Sequence, residues 1–485
     1  MKMKGFMALA FMAGLVLLGG AAKAGSEVKM TGDVRVHGNW FSKTNYTGWN
    51  GDGAQTGDPF TVWERFRLRT DFIANEDLKF RLGIRVNNGV WGDGTFKVDN
   101  PAVAIDVYQA YLQFKLPGTE AEFTVGRQPF TVAHSSFFGG SSIVLDSEAA
   151  AAMVSLLLIK DTLSFTGGFM RLLDTNKDFD KTTRQVPDEF DGYYLSLPVT
   201  VEGFSATPWA LLAVTGRDAD YAGTSVGGGG LYSNTLAQTL FSAGQYALEP
   251  FGVRNAQNMF LWAGGAFEVT TLDPFKFYAD LIYGGGNLSD RAHNKRQGWF
   301  LDFAAEYTGF DALTPQLAFW WSTGEDGSLR NGSERMPQIV SAWGPSTSFL
   351  FDTDQAFVNN TMGVNAVGTW GFSASLNSVS FLPDLKHRLT FAYAHGTNSA
   401  KGLRAANALL GAGTYYQMGH DLADSEYVAG INLDNTYNIH ENLALMANLG
   451  WSHGEFDSSV WGRRFVDQAK RGDAFLIAVG LQYKF

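Results

Sequence analysis

Cysteine is absent from the 485 residues, which excludes disulfides, zinc–thiolate centres and cysteine nucleophiles. Proline is scarce, 13 against 56 glycines. That balance, with 38 Phe, 17 Tyr and 13 Trp, suits a wall of strands, tight turns and aromatic girdles. Long apolar runs are also missing. The run Phe6–Leu18 falls short of the roughly 20 residues that a helix needs to cross a bilayer, so a membrane location would have to use strands. Nor is there a basic excess: the net charge of -11 gives no support for nucleic-acid binding and suits the divalent-cation-rich bacterial surface.

What is present begins with an address. Lys2 and Lys4 precede the apolar run, and Gly19-Gly20 and the small-residue pattern Ala22-Lys23-Ala24 follow it. This reads as a secretion signal over residues 1–24, with one barrel domain over 25–485 beginning at Gly25. Without the three leader lysines (Lys2, Lys4, Lys23) the charge moves from -11 to -14.

From Val28 the chain alternates. Val28, Met30, Val34, Val36 and Trp40 share one parity, and Lys29, Thr31, Asp33, Arg35, His37 and Asn39 the other. Period two means strand. Phe66, Leu68, Thr70 and Phe72 then alternate with Arg65, Arg67, Arg69 and Asp71, the turn Asn75-Glu76-Asp77 follows, and Leu78, Phe80, Leu82, Ile84 and Val86 alternate with Lys79, Arg81, Gly83, Arg85 and Asn87. The result is a hairpin with one apolar and one cationic face.

Further short turns stand near Pro117-Gly118, Lys160-Asp161, Glu202-Gly203, Asp273-Pro274, Gly309-Phe310-Asp311, Pro383-Asp384 and His440-Glu441-Asn442, separated by longer polar or glycine-rich stretches, the longest near 216–258 and 324–360. Short turns on one rim and long loops on the other characterise outer-membrane barrels. The expectation is an all-β transmembrane antiparallel β-barrel of about 18 strands, with 16 the alternative if one turn is misread. The last strand sets Phe475, Ile477, Val479, Leu481, Tyr483 and Phe485 on one face. It must pair with the first, because an open edge in lipid leaves backbone groups unsatisfied.

A turn centred near Glu76 places Arg67 opposite Arg85, roughly 5 Å apart. Such like charges must face water or counter-charge. Arg35, Arg65, Arg67, Arg69, Lys79, Arg81 and Arg85 are therefore expected to line a pore, against the alternative of ion pairs with Asp71, Asp106 or Glu64. Gly126-Arg127-Gln128 ends the fifth strand and opens a third long loop running through His134 and Phe137-Phe138 to Asp146 and Glu148.

Taken with the alternating hairpins, Glu64-Arg65-Phe66-Arg67-Leu68-Arg69-Thr70 and the Phe485 ending, the chain resembles the outer-membrane homotrimeric porins of sulfate-reducing bacteria. The resemblance implies passive diffusion of small hydrophilic solutes and ions through a trimer. It also implies that the third loop folds inward, with Arg127 among the pore-lining cations and Asp146 and Glu148 facing the arginines across a constriction. The implied partners are the lipid bilayer, lipopolysaccharide, further copies of the chain and the outer-membrane assembly machinery, which would read the terminal strand. A count near eighteen departs from the sixteen of general porins, so a substrate-specific sugar or anion channel stands as the alternative.

Catalytic readings fare poorly. Gly223-Thr224-Ser225-Val226-Gly227 matches G-x-S-x-G but lacks a feeding strand, although a barrel-embedded hydrolase assembled by folding stays open as a third reading. No histidine shows H-E-x-x-H spacing, so no zinc site and no cofactor is expected. Asp174, Asn176 and Asp178 open like a calcium loop, but Phe179 and Gln185 stand where Gly and Glu are required, leaving at most a weak cation site.

Overall fold

Period-two alternation produces strands throughout the chain. The computed structural model describes residues 27–485 except 44, 49–56, 59, 93–96, 98–103, 139–140, 176–186, 227–233, 249–254, 346–348, 352–361 and 471; the leader lies outside the described residues. The strands are β1 (Glu27–Ser42), β2 (Phe60–Asn75), β3 (Leu78–Val90), β4 (Asp106–Lys115), β5 (Ala121–Thr131), β6 (Asp146–Ile159) and β7 (Leu163–Asp174). Glu189–Ser196 and Val199–Val201 border the same two neighbours and form one strand, β8, interrupted at Leu197-Pro198. Then come β9 (Phe204–Gly216), β10 (Gln257–Val269), β11 (Phe275–Gly286), β12 (Arg296–Tyr307), β13 (Thr314–Ser322) and β14 (Thr369–Leu382). The series ends with β15 (Leu385–Gly396), β16 (Tyr427–His440), β17 (Leu443–Glu455) and β18 (Ala474–Lys484).

Each strand pairs antiparallel with its sequence neighbours, and β18 pairs with β1 from Asp33↔Lys484 to Ser42↔Phe475. The wall is a closed eighteen-stranded barrel, as the turn count implies. Phe485 completes the seam: its N–H donates to the Gly32 carbonyl at 3.1 Å, and the Gly32 N–H donates to the Phe485 carbonyl at 2.8 Å. Position 32 requires glycine, since a Cβ there would stand 2.4 Å from the Arg67 carbonyl and 2.6 Å from the Phe485 ring.

The outer parity is apolar and exposed, as in Phe475, Ile477, Val479 and Leu481. Aromatics gather at both of its ends. Phe72–Phe80, Phe114–Phe123, Phe275–Tyr307 and Tyr483–Phe485 pair near the short turns, while Tyr283–Trp299, Trp370–Tyr393 and Tyr393–Tyr427 pair near the long loops. An apolar band between two aromatic belts is the outer surface that a bilayer requires.

The inner parity divides along the axis. Toward the long-loop end the loops fold in and build a continuous apolar core that includes Phe138, Trp262, Phe300, Trp320, Met336, Trp343, Phe351 and Tyr416. Trp343 is its hub. Its ring stacks on Phe138 at 5.3 Å and meets Phe300, Trp320 and Phe351 edge-on at 5.3, 5.5 and 5.8 Å. Fully buried Arg296 ties this core together by donating to the carbonyls of Gln238, Phe241, Arg335 and Met336. The helix Ala400–Leu410 buries Leu403 and Ala406 in the same assembly.

Candidate functional site

The cationic face is built by register. Across β1 and β2, Asp33 pairs with Arg67 and Arg35 with Arg65; across β2 and β3, Arg67 pairs with Arg85 and Asp71 with Arg81. All share the parity opposite the exposed apolar residues, so the guanidinium groups enter the lumen. Lys79 follows on the same parity toward the short-turn rim, opposite Gln113.

Both alternatives from the sequence are present on this wall. Arg81 grips Asp71 with two hydrogen bonds of 2.6 Å, and Arg65 pairs with Asp33 at 2.6 Å, with Arg35 Nε 3.7 Å from the same oxygen. Arg67, Arg69 and Arg85 form no ion pair among the described residues, and the Nε of each is buried without an acceptor. Arg67 and Arg85 instead lie 5.9 and 5.3 Å from the ring of buried Tyr108, contacts worth about 0.5–1 kcal/mol each. That is comparable to the repulsion of about 1 kcal/mol between adjacent like charges in water, so the pair is tolerable in a wet lumen. Tyr108 enters through a register shift in β4, where Gly83 pairs with Gln109 but Ile84 with Val107. The extra residue of such a bulge re-aims a side chain.

The described residues of the loop, 132–138 and 141–145, fold inward, as expected. Val132, Phe138, Ile143, Val144 and Leu145 are buried, and Leu145 bridges Val340 of the loop between β13 and β14. The loop reaches the far wall: Ser136 N–H donates to Glu268 of β10, Ser135 to Asp280 of β11, and His134 meets Asp302 of β12. Strands β3 and β12 are nine apart in an eighteen-membered ring, so this anchorage lies across the bore from the arginines. The inward acids Glu268 and Glu306 stand on the same wall, Glu306 accepting from Tyr278 and Gln316. Sequence reading missed both, although each is an acid on the inner parity of an apolar strand.

Three expectations are corrected. Arg127 pairs with Ala110 and Ala150 and is exposed on the outer parity, with Val125 and Pro129. Asp146 and Glu148 are not loop residues. They open β6 opposite Thr131 and Pro129, on that same outer parity, whereas Gln128, Phe130 and Ala149 turn inward. The physical reason is alternation itself: Gly126 faces Tyr111 on the inner side, so the next residue must face out. These acids do not confront the arginine wall.

The weak cation site dissolves in part. The Asp174 carboxylate is held by Arg171 at 2.7 Å, while Asn176 and Asp178 lie outside the described residues. Ser225 sits in a loop, bridging to Thr235, and Gly227 lies outside the described residues. The strand–turn–helix context of a nucleophile elbow does not surround it.

No protein-family model and no curated protein matches the chain. Solved structures share its fold. Pseudomonas aeruginosa OpdL is 12% identical with a TM-score of 0.50, covering 95% of this chain and 99% of that one. The outer membrane protein OprD of the same organism is 12% identical with a TM-score of 0.49, covering 96% and 95%. OmpT of Vibrio cholerae, expressed in the outer membrane, is 9% identical with a TM-score of 0.39, covering 96% and 99%.

Proposed function

We propose that the protein is a porin of the bacterial outer membrane, a water-filled channel through which small hydrophilic solutes and ions diffuse down their gradients, with residues 25–485 as one exported barrel domain. The supporting observation is a closed barrel whose inner wall carries three guanidinium groups, Arg67, Arg69 and Arg85, without carboxylate partners among the described residues and set across the bore from Glu268 and Glu306. Such a transverse field orients and selects solutes. No turnover or cofactor enters this reading. The apolar band and its aromatic belts support a bilayer partner, and the assembly machinery and lipopolysaccharide complete the expected set. We read the channel as a homotrimer by resemblance alone.

Single-channel recording in planar bilayers tests this. Stepwise conductance with an anion preference is expected, in steps of three if trimers insert; a folded barrel that conducts nothing would overturn it. A channel specific for a small anion is favoured by the same three guanidinium groups, and block of the ion current by that anion at low concentration would distinguish it. The sugar alternative rests on the strand count of eighteen, and the pairs Tyr283–Trp299, Trp370–Tyr393 and Tyr393–Tyr427 add nothing to it because they lie on the outer face.

A further inference from the structure

Where the inward loop meets the far wall, it closes a cluster that the channel reading does not use. Asp280 and Asp302 are directly opposed on β11 and β12, both facing inward. His134 arrives from the loop, and all three side chains are 0–1% exposed. His134 Nε2 lies 2.9 Å from Asp302 Oδ2 and 3.4 Å from Asp280 Oδ2. Neighbouring donors around a divalent ion with bonds of about 2.1 Å stand about 3.0–3.4 Å apart, so the spacing already suits coordination.

Both carboxylates are steadied from behind. Ser135 donates to Asp280 from its N–H at 2.9 Å and its hydroxyl at 2.5 Å, and Trp343 Nε1 donates to Asp302 Oδ2 at 2.8 Å. Orienting donors of this kind accompany metal-bound carboxylates. Protein contacts nevertheless leave the cluster incomplete: Asp302 Oδ1 and His134 Nδ1 are buried without partners. No Lys or Arg pairs with either aspartate among the described residues, and a divalent ion with a neutral imidazole would balance both carboxylates.

We propose that His134, Asp280 and Asp302 bind one divalent transition-metal ion, which pins the inward loop to the wall opposite the arginines. One imidazole nitrogen with two carboxylate oxygens and no thiolate suits Zn2+, Co2+ or Mn2+, whereas Ca2+ and Mg2+ favour all-oxygen sites. Complete burial assigns the ion a structural role, independent of whether the barrel conducts.

The test uses the purified full barrel in detergent, stripped with chelator and reloaded with Zn2+ or Co2+ alone. About one Zn2+ per chain should survive dialysis, and Co2+ should develop visible ligand-field bands with a single imidazole in its X-ray absorption fine structure. His134→Ala and Asp302→Asn should each weaken retention at least tenfold, in barrels verified by the heat-dependent shift in electrophoretic mobility. Should a variant fail to fold, the wild-type stoichiometry and cobalt spectrum still decide. Wild-type protein that holds no stoichiometric Zn2+ or Co2+ overturns the site, as does equal retention by folded Asp302→Asn.

Discussion

Arg67 and Arg85 stand opposite each other on β2 and β3, and both lean on the ring of Tyr108, at 5.9 and 5.3 Å. This couples the two opposed cations to one aromatic side chain, held by the bulge in β4. Replacing both arginines by Ser should move the reversal potential in a salt gradient toward cation preference while leaving the barrel intact. An unchanged reversal potential would remove these groups from the conduction path.

Trp343 joins four aromatic rings and the Asp302 carboxylate. Trp343→Ala removes about 3–5 kcal/mol of packing from the loops and one side-chain hydrogen bond to Asp302, but no backbone hydrogen bond between the strands. The loops should therefore loosen before the wall does. Larger, noisier single-channel conductance at unchanged heat-modifiability is the expected result.

The loop assembly also holds buried acids. Burial pushes Glu325 up to about 7, although Tyr416 donates to it, and burial likewise pushes Glu426 up to about 7. A folded-state value above the unfolded one near 4.5 means that the fold favours the protonated form. This contribution is full below about pH 4.5, is lost as the pH rises through about 7, and amounts to something on the order of 3 kcal/mol per group. Protection of the amides in the loop around Glu325, relative to their intrinsic exchange rates at each pH, should thus fall on going from mildly acidic to mildly alkaline buffer. Glu325→Gln should flatten that dependence.

Closure of the barrel rests on the contact between Phe485 and Gly32. Deleting Phe485 loses its two backbone hydrogen bonds with Gly32, worth about 1 kcal/mol each, and uncovers the seam. Gly32→Val should be worse, because its side chain would collide with the Arg67 carbonyl and the terminal ring. Both variants should give less heat-modifiable barrel on refolding into lipid vesicles, in that order of severity.

The arginine wall was legible in the sequence because its members are local: one short turn, with a register shift at Ala74 beside it, sets Arg67 against Arg85, and alternation puts their neighbours on the same face. Arg127 shows the limit of that reasoning, since a family pattern assigned it inward while strict alternation from inward Gly126 turns it out. The partners of the arginines were half legible. Asp71 lies on the same hairpin as Arg81, whereas the preference of Arg65 for Asp33 depends on the β1–β2 register. The cluster of His134, Asp280 and Asp302 was invisible. Its members are separated by 146 and 22 positions along the chain, and no histidine motif announces a ligand set assembled from a loop and two strands.

By itself the sequence determined the strands, the turns, the closed wall and the sign of the lumenal face, because these follow from period-two alternation and from pairings between chain neighbours. Only the tertiary structure decided how the long loops fill the bore, which arginines stay without carboxylates, and which acids confront them. Those outcomes depend on packing between segments far apart in the chain, where burial and charge balance, rather than local spacing, set the energy.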